Sequence, residues 1–230
     1  MPTRSPSAPD PRPTLLRYYH RLYHHFGPQL WWPARTRFEV ILGALLTQNT
    51  SWANVEKALA NLERAGVLAP AKLRQLPAPR LARLLRPSGY FRQKTRAVRH
   101  FLRHLEQRYA NSLARLFRRP TPALRAELLS LPGIGKETAD SILLYAAGRP
   151  LFVIDAYTRR VLARHGLAPH QAAYEKLQGL FHRHLHPDPV LFNEYHALLV
   201  AVGKRYCHRD RPDCSACPLG IELERSDGRR

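Results

Sequence analysis

Apolar side chains recur at helical spacing along almost the whole chain, and no stretch alternates apolar and polar residues as a half-buried strand would. That confines the fold to an all-α one. Leu15 to Phe26 reads as one helix closed by Gly27-Pro28, Phe38 to Leu46 as a buried helix, and Trp52 to Ala65 as an amphipathic one. Pro70, Pro77, Pro79 and Pro87 punctuate short helices through Leu85. Lys94 to Tyr109 reads as a long basic helix with Arg96, Arg99, His100, Arg103 and His104 on its wet side. Thr121-Pro122 opens the next helix, proline being favourable in a first turn. Ser141 to Ala147, Ala156 to His165, Tyr174 to Leu185 and Phe192 to Val202 complete the set. Gly148-Arg149-Pro150 is the best boundary between lobes. It gives a central helical lobe over residues 30–149 and a second lobe joining residues 15–29 to residues 150–230. Residues 1–14 hold five prolines and no apolar stretch, and read as a flexible arm rather than a signal peptide.

The balance of charge narrows the partner. Lys+Arg number 37 against 17 Asp+Glu, a formal net charge of +20, and only six of the basic residues are lysines. Such a field favours a polyanion through counterion release, and arginine adds bidentate phosphate contacts. A merely soluble arginine-rich surface would give the same count, so charge alone does not decide. No run of about 18 apolar residues is present to cross a membrane. The three cysteines all lie between Cys207 and Cys217. That argues against a disulfide framework and for a reducing, cytoplasmic setting.

Chemistry concentrates in Leu131-Pro132-Gly133-Ile134-Gly135-Lys136-Glu137-Thr138-Ala139, followed by Phe152-Val153-Ile154-Asp155. A Gly-x-Gly hairpin between two apolar helical runs turns backbone N–H groups outward at the positive end of a helix dipole. Such a nest binds phosphate without reading a base. Asp155 then offers one carboxylate where the chain re-enters the core. As a residue preceding Ala156-Tyr157-Thr158 it also reads as a helix N-cap.

With its neighbours in order, this set resembles the helix-hairpin-helix (HhH-GPD) DNA glycosylase superfamily related to endonuclease III, over roughly residues 30 to 217. Leu45-Leu46-Thr47-Gln48-Asn49-Thr50 is similar to the segment whose glutamine fills the space left by a flipped base. Ser88-Gly89-Tyr90 with Lys94 resembles the family's Gly-aromatic turn into a basic helix. Gly203-Lys204-Arg205-Tyr206-Cys207 resembles the entry to its iron–sulfur loop. The resemblance implies a two-lobe helical fold with the base pocket between the lobes, binding duplex DNA as a monomer. It also implies DNA contacts from Gln48, Gly133, Ile134, Gly135, Lys136, Lys204 and Arg205. Within it, Asp155 would stabilise the positive charge that builds on the sugar as the glycosidic bond breaks, and orient water.

Three positions refine that expectation. Bifunctional members carry a lysine at the position of Glu137, and a carboxylate cannot form a Schiff base. Lys136, about 100° around the helix, points elsewhere. The resemblance therefore implies a monofunctional glycosylase with weak or absent lyase activity. Trp31-Trp32-Pro33 and Trp52 are similar to the 3-methyladenine DNA glycosylase III branch, whose aromatics enclose a flipped purine. Glu137 joins them as a candidate pocket residue, with a first-turn acid as its plainer role. Ordinary core tryptophan is the other reading of all three indoles. Gly43 stands where the adenine-mismatch branch carries a catalytic glutamate. Rivals are an endonuclease III-like enzyme acting on oxidised pyrimidines, and a non-catalytic binder of damaged DNA.

The cysteines depart from the family pattern. Cys207-x6-Cys214-x2-Cys217 matches three ligands of a [4Fe–4S] loop, but Leu223 stands where the fourth is expected. Glu222, Glu224 or His208 are substitutes on sequence grounds. A metal-free loop, or Zn²⁺ on three thiolates plus His208, are the alternatives. The His182, His184 and His186 group reads as a solvated basic helix face.

Overall fold

Every regular element among the described residues is helical. The structure, a computed structural model, describes residues 10–227, with side chains to residue 223. It divides into two compact units, one of Trp32–Pro150 and one joining Met1–Trp31 to Leu151–Arg230.

The first of these is built around α2 (Arg37–Leu46). All its residues from Val40 to Leu46 are buried, as expected of a helix apolar on every side. Its start is capped by Thr36: the Glu39 amide donates to Thr36 Oγ1 at 3.2 Å, and the Glu39 carboxylate accepts from the Thr36 hydroxyl at 3.2 Å and the Arg35 amide at 3.1 Å. Against α2 pack α3 (Trp52–Arg64) and, beyond the short helices α4 (Pro70–Gln75) and α5 (Ala78–Leu85), the long α6 (Phe91–Tyr109). A 3-10 turn at Arg86–Ser88 leads into α6. Each fully buried Leu, Ile or Phe of this layer contributes about 1.5–3 kcal/mol. Then come α7 (Leu113–Leu116), α8 (Thr121–Leu129), the hairpin, and α9 (Lys136–Ser141).

In the second unit, α1 (Arg12–Phe26) and α10 (Ala156–Arg164) pack on α12 (Pro189–Arg205), and α11 (Tyr174–His184) packs on α1. A short α13 (Gly220–Asp227) follows the cysteine loop. Phe152 stacks on Phe181 at 3.6 Å and meets Phe192 and Tyr195 edge-on. The Tyr195 hydroxyl, buried with them, donates to Leu15 O at 2.8 Å.

Several local expectations are corrected. Arg12 to Thr14 belong to α1 rather than to an arm, and residues 1–9 of the expected arm lie outside the described residues. The helix after the hairpin does not continue as an α-helix. It passes at Ile142–Ala146 into a π-turn, which propensity does not foreshadow. His104 is not on a wet face, because its ring meets Glu127 Oε1 at 2.6 Å while the Tyr109 hydroxyl donates to the same oxygen. Lys94 is buried, its Nζ donating to Ser88 O. Desolvation lowers its pKa from the usual lysine value.

Candidate active site and nucleic-acid interface

The hairpin takes its shape from Gly133, at φ +90°. A Cβ there would lie 2.6 Å from Ala97 Cβ, so only glycine lets the turn rest on α6. Ile134 is buried and anchors the loop, its amide donating to Leu131 O. Gly135 caps α9, whose first turn presents Lys136 and Glu137 as exposed side chains. The first-turn amides of a helix lie beyond reach of its own carbonyls, and they face outward with the positive dipole end.

Gln48 is tied to this hairpin. Its Nε2 donates to Gly133 O at 3.1 Å and to Thr138 Oγ1 at 2.9 Å. Gln48, Asn49, Tyr90, Arg96, His100 and Gly133 are among the residues lining a groove of about 430 Å³. Asn49 and Tyr90 both have left-handed backbone, φ +52° and +44°. Strain of this kind concentrates at functional sites. Tyr90 is the more exposed aromatic, at 65%.

Trp32 meets Trp52 edge-to-face at 5.2 Å and Tyr145 at 5.1 Å. Tyr145 sits in the π-turn, and the sequence reading passed it over as one more residue of an apolar run. Gly43 is explained by the same cluster: a Cβ there would come within 2.9 Å of the Trp32 indole. Gly43→Ala is accordingly expected to displace Trp32, changing the near-ultraviolet circular dichroism and costing about 1–3 kcal/mol as overpacking. An unaltered spectrum and melting temperature would contradict this packing. Pro33 is exposed. Trp31 belongs to the other unit, with Lys204 Nζ 5.9 Å from its ring centroid.

Asp155 ends an extended run and caps α10, its Oδ1 accepting from the Thr158 amide at 2.7 Å. Its Oδ2 lies 3.7 Å from Nε2 of buried His196 on α12. Burial lowers the His196 pKa from the usual histidine value, and the Asp155 carboxylate opposes that shift. One oxygen is thus committed to the helix and the other faces an imidazole that sequence reading missed. The run itself is held by one face of α11. The Phe152 amide donates to His182 Nε2 at 2.9 Å, Gln178 Nε2 donates to Phe152 O at 2.8 Å, and the Ile154 amide donates to Tyr174 OH at 3.3 Å. His182 also stacks on Phe192. It is a structural acceptor, not part of a solvated basic face.

Gly203 receives the Tyr157 ring, which a Cβ would meet at 2.5 Å. Lys204 and Arg205 follow, both exposed. Arg160 donates to the carbonyls of Cys207 and Gly203 at 2.6 and 3.0 Å, fastening α10 to the start of the loop. Cys207, Cys214 and Cys217 line one small cavity of about 20 Å³. Leu223 lines it too. Burial is the main reason the Cys217 thiol is shifted up, and the other two cysteines add to it. The Glu222 carboxylate, 2% exposed, is held by Arg21 at 2.8 Å and Arg17 at 3.3 Å, and His208 is exposed. The Glu224 side chain lies outside the described ones. Among the described residues no three His, Cys, Asp or Glu side chains are grouped so as to hold a metal ion.

A hairpin that offers amides, a glutamine fixed beside it and a helix-capping aspartate on an extended run define a DNA repair protein of the helix-hairpin-helix kind. The HhH-GPD model, described as a superfamily of base excision DNA repair proteins, matches residues 42–187. The chain belongs to that superfamily, and the activity that goes with membership is that of a DNA glycosylase. It is 42% identical to a Methanocaldococcus jannaschii protein whose name, DNA repair glycosylase, is provisional; the match covers 89% of this chain and 93% of that one. It is 28% identical to endonuclease III of Thermotoga maritima over 81% of this chain and 82% of that one. Among solved structures it is similar to the H. pylori 3-methyladenine DNA glycosylase bound to 1,N6-ethenoadenine. There the TM-score is 0.75 at 28% identity, covering 86% of this chain and 98% of that one. A non-covalent endonuclease III–DNA complex shares the fold, with a TM-score of 0.79 at 21% identity over 95% and 99% of the two chains. No helix among the described residues is long and apolar enough to cross a membrane.

Proposed function

We propose that the chain is a monofunctional glycosylase that hydrolyses the N-glycosidic bond of a flipped alkylated purine in duplex DNA, with 3-methyladenine the first choice. The observation that carries the substrate reading is the Trp32–Trp52–Tyr145 cluster. Aromatic faces attract a cationic 3-methyladenine more than a normal adenine, and its glycosidic bond is already weakened. The similarity to a 3-methyladenine glycosylase carrying an etheno-purine supports it. Trp31 and Pro33 join the pocket in this reading.

The hairpin amides and Lys136 grip phosphate, as do Lys204 and Arg205, while Gln48 fills the gap left by the extruded base. Asp155 stabilises the oxocarbenium-like sugar through its Oδ2 and orients the water that attacks it. Glu137 lines the approach and supplies no amine. The protein works as a monomer on cytoplasmic DNA. A [4Fe–4S] cluster on Cys207, Cys214 and Cys217 would hold the Lys204–Arg211 loop in shape, a structural role.

The test is base release from alkylated duplex DNA, identified chromatographically, with strand nicking scored in the same tube. Free 3-methyladenine without nicking is the expected result. The relatives named endonuclease III give the second reading its weight. Nicking at oxidised pyrimidines, with borohydride trapping and no alkylated base released, would establish that one instead.

A further inference from the structure

Resting on the proposed role of Asp155, we infer that His196 of α12 is its positioning residue: the imidazole holds the second carboxylate oxygen in place as an anion. Asp155 Oδ1 is already committed to the Thr158 amide at 2.7 Å. That bond gives the carboxylate one fixed point and leaves its other oxygen to be placed. Oδ2 lies 3.7 Å from Nε2 of His196, in a setting where the two side chains are only 12% and 7% exposed. The separation is longer than a hydrogen bond, but charge and dipole act strongly across it where water is excluded. Contacts of this kind often tighten as an enzyme engages its transition state.

The chemistry of the two groups fixes which way the contact works. An ionised carboxylate only accepts. Burial lowers the His196 pKa from the usual histidine value, with the Asp155 carboxylate opposing the shift, so the ring is neutral at neutral pH. A neutral imidazole meets Oδ2 with either Nε2–H or a lone pair, and only the first attracts it. An imidazolium there would cancel the negative charge that Asp155 offers the sugar, whereas an N–H dipole supports the anion and leaves its charge intact. The fold holds the ring in place. Tyr195, the residue before it, ties α12 to α1 through its bond to Leu15 O. The His196 ring also meets Phe152 edge-on, centroids 6.4 Å apart, and Phe152 is stacked on Phe181. One imidazole thus faces both ends of the extended run that delivers Asp155.

The experiment is single-turnover release of 3-methyladenine from alkylated duplex DNA by His196→Phe and His196→Gln, each alone and combined with Asp155→Asn. DNA affinity and melting temperature are measured beside it. His196→Phe keeps a ring without the N–H, and should slow excision about 10²-fold at unchanged affinity. His196→Gln, which restores an N–H at similar reach, should recover most of that rate. A residue that acts through Asp155 adds nothing once the carboxylate is gone, so His196→Phe should leave the Asp155→Asn rate within about twofold. A merely structural histidine would slow both backgrounds alike, in step with the loss of melting temperature. Nitrogen NMR of isotope-labelled histidines reads the same contact without excision. There Nε2 of His196, assigned by its loss in His196→Phe, should carry the proton and shift in Asp155→Asn. Full-rate excision by His196→Phe, equal losses in both backgrounds, or an unprotonated Nε2 overturns the assignment of His196 alone. Wild-type turnover in Asp155→Asn overturns the proposed role of Asp155 first, and the assignment of His196 falls with it.

Discussion

Asp155→Asn should leave a folded protein that binds DNA and releases base at least about 10²-fold more slowly. The substitution is informative because the proposed function gives the carboxylate two duties, which asparagine separates. As an N-cap, Asn ranks with Asp, so the bond to the Thr158 amide survives and α10 stays in place. As a source of negative charge toward a cationic sugar, Asn fails. Single-turnover excision measured beside DNA affinity and melting temperature reads the two duties apart. A fall in turnover with unchanged affinity and stability is expected. Retained turnover would remove Asp155 from the chemistry and leave it a cap. A non-catalytic binder, by contrast, would show its whole phenotype in the variant.

The largest effect on stability is expected at Arg125. Its guanidinium reaches across from α8 to α9 and holds both oxygens of Asp140, Nε to Oδ1 at 2.6 Å and Nη2 to Oδ2 at 3.0 Å. The Asp140 side chain is 0% exposed and Arg125 21%. Removing the cation from a buried pair costs about 3–5 kcal/mol, because the carboxylate is left in the interior. Arg125→Met should therefore lower the melting temperature by about 10 °C or more, at 2–4 °C per kcal/mol for a chain of this size. The paired change Arg125→Met/Asp140→Leu removes the stranded charge as well, and should recover much of the loss. Thermal melts of the three proteins decide it, and a single variant as stable as wild type would show that the fork carries no such energy. These two residues brace the helix entering the hairpin to the helix leaving it, so DNA affinity should fall with stability in the single variant.

Much of this was legible in the chain itself. Helix positions follow from apolar spacing and from the prolines that open α4, α5, α8 and α12. The hairpin is legible because its glycines answer a backbone demand, as Gly133 shows. What escaped the sequence is polar pairing over distance. Arg125 with Asp140, His104 with Glu127, His165 with Tyr18 and His196 with Asp155 each join residues that no periodicity relates. A histidine on a helix looks alike whether it faces water or a buried amide, and so His182 was read as solvated. The π-turn was hidden because its residues, Ile142 to Ala146, are ordinary helix formers. Its effect is in the ladder of hydrogen bonds, not in the composition.

The extended run ending at Asp155 borrows its anchorage from Tyr174, Gln178 and His182, three side chains set one helical turn apart. Among the described residues it has no sheet partner to fix its register. Where the carboxylate stands is therefore decided by a helix later in the chain. On the proposed catalytic role of Asp155, variation along that face of α11 would become variation in rate, entered at positions where two relatives compared only at Asp155 and the hairpin would pass for the same enzyme.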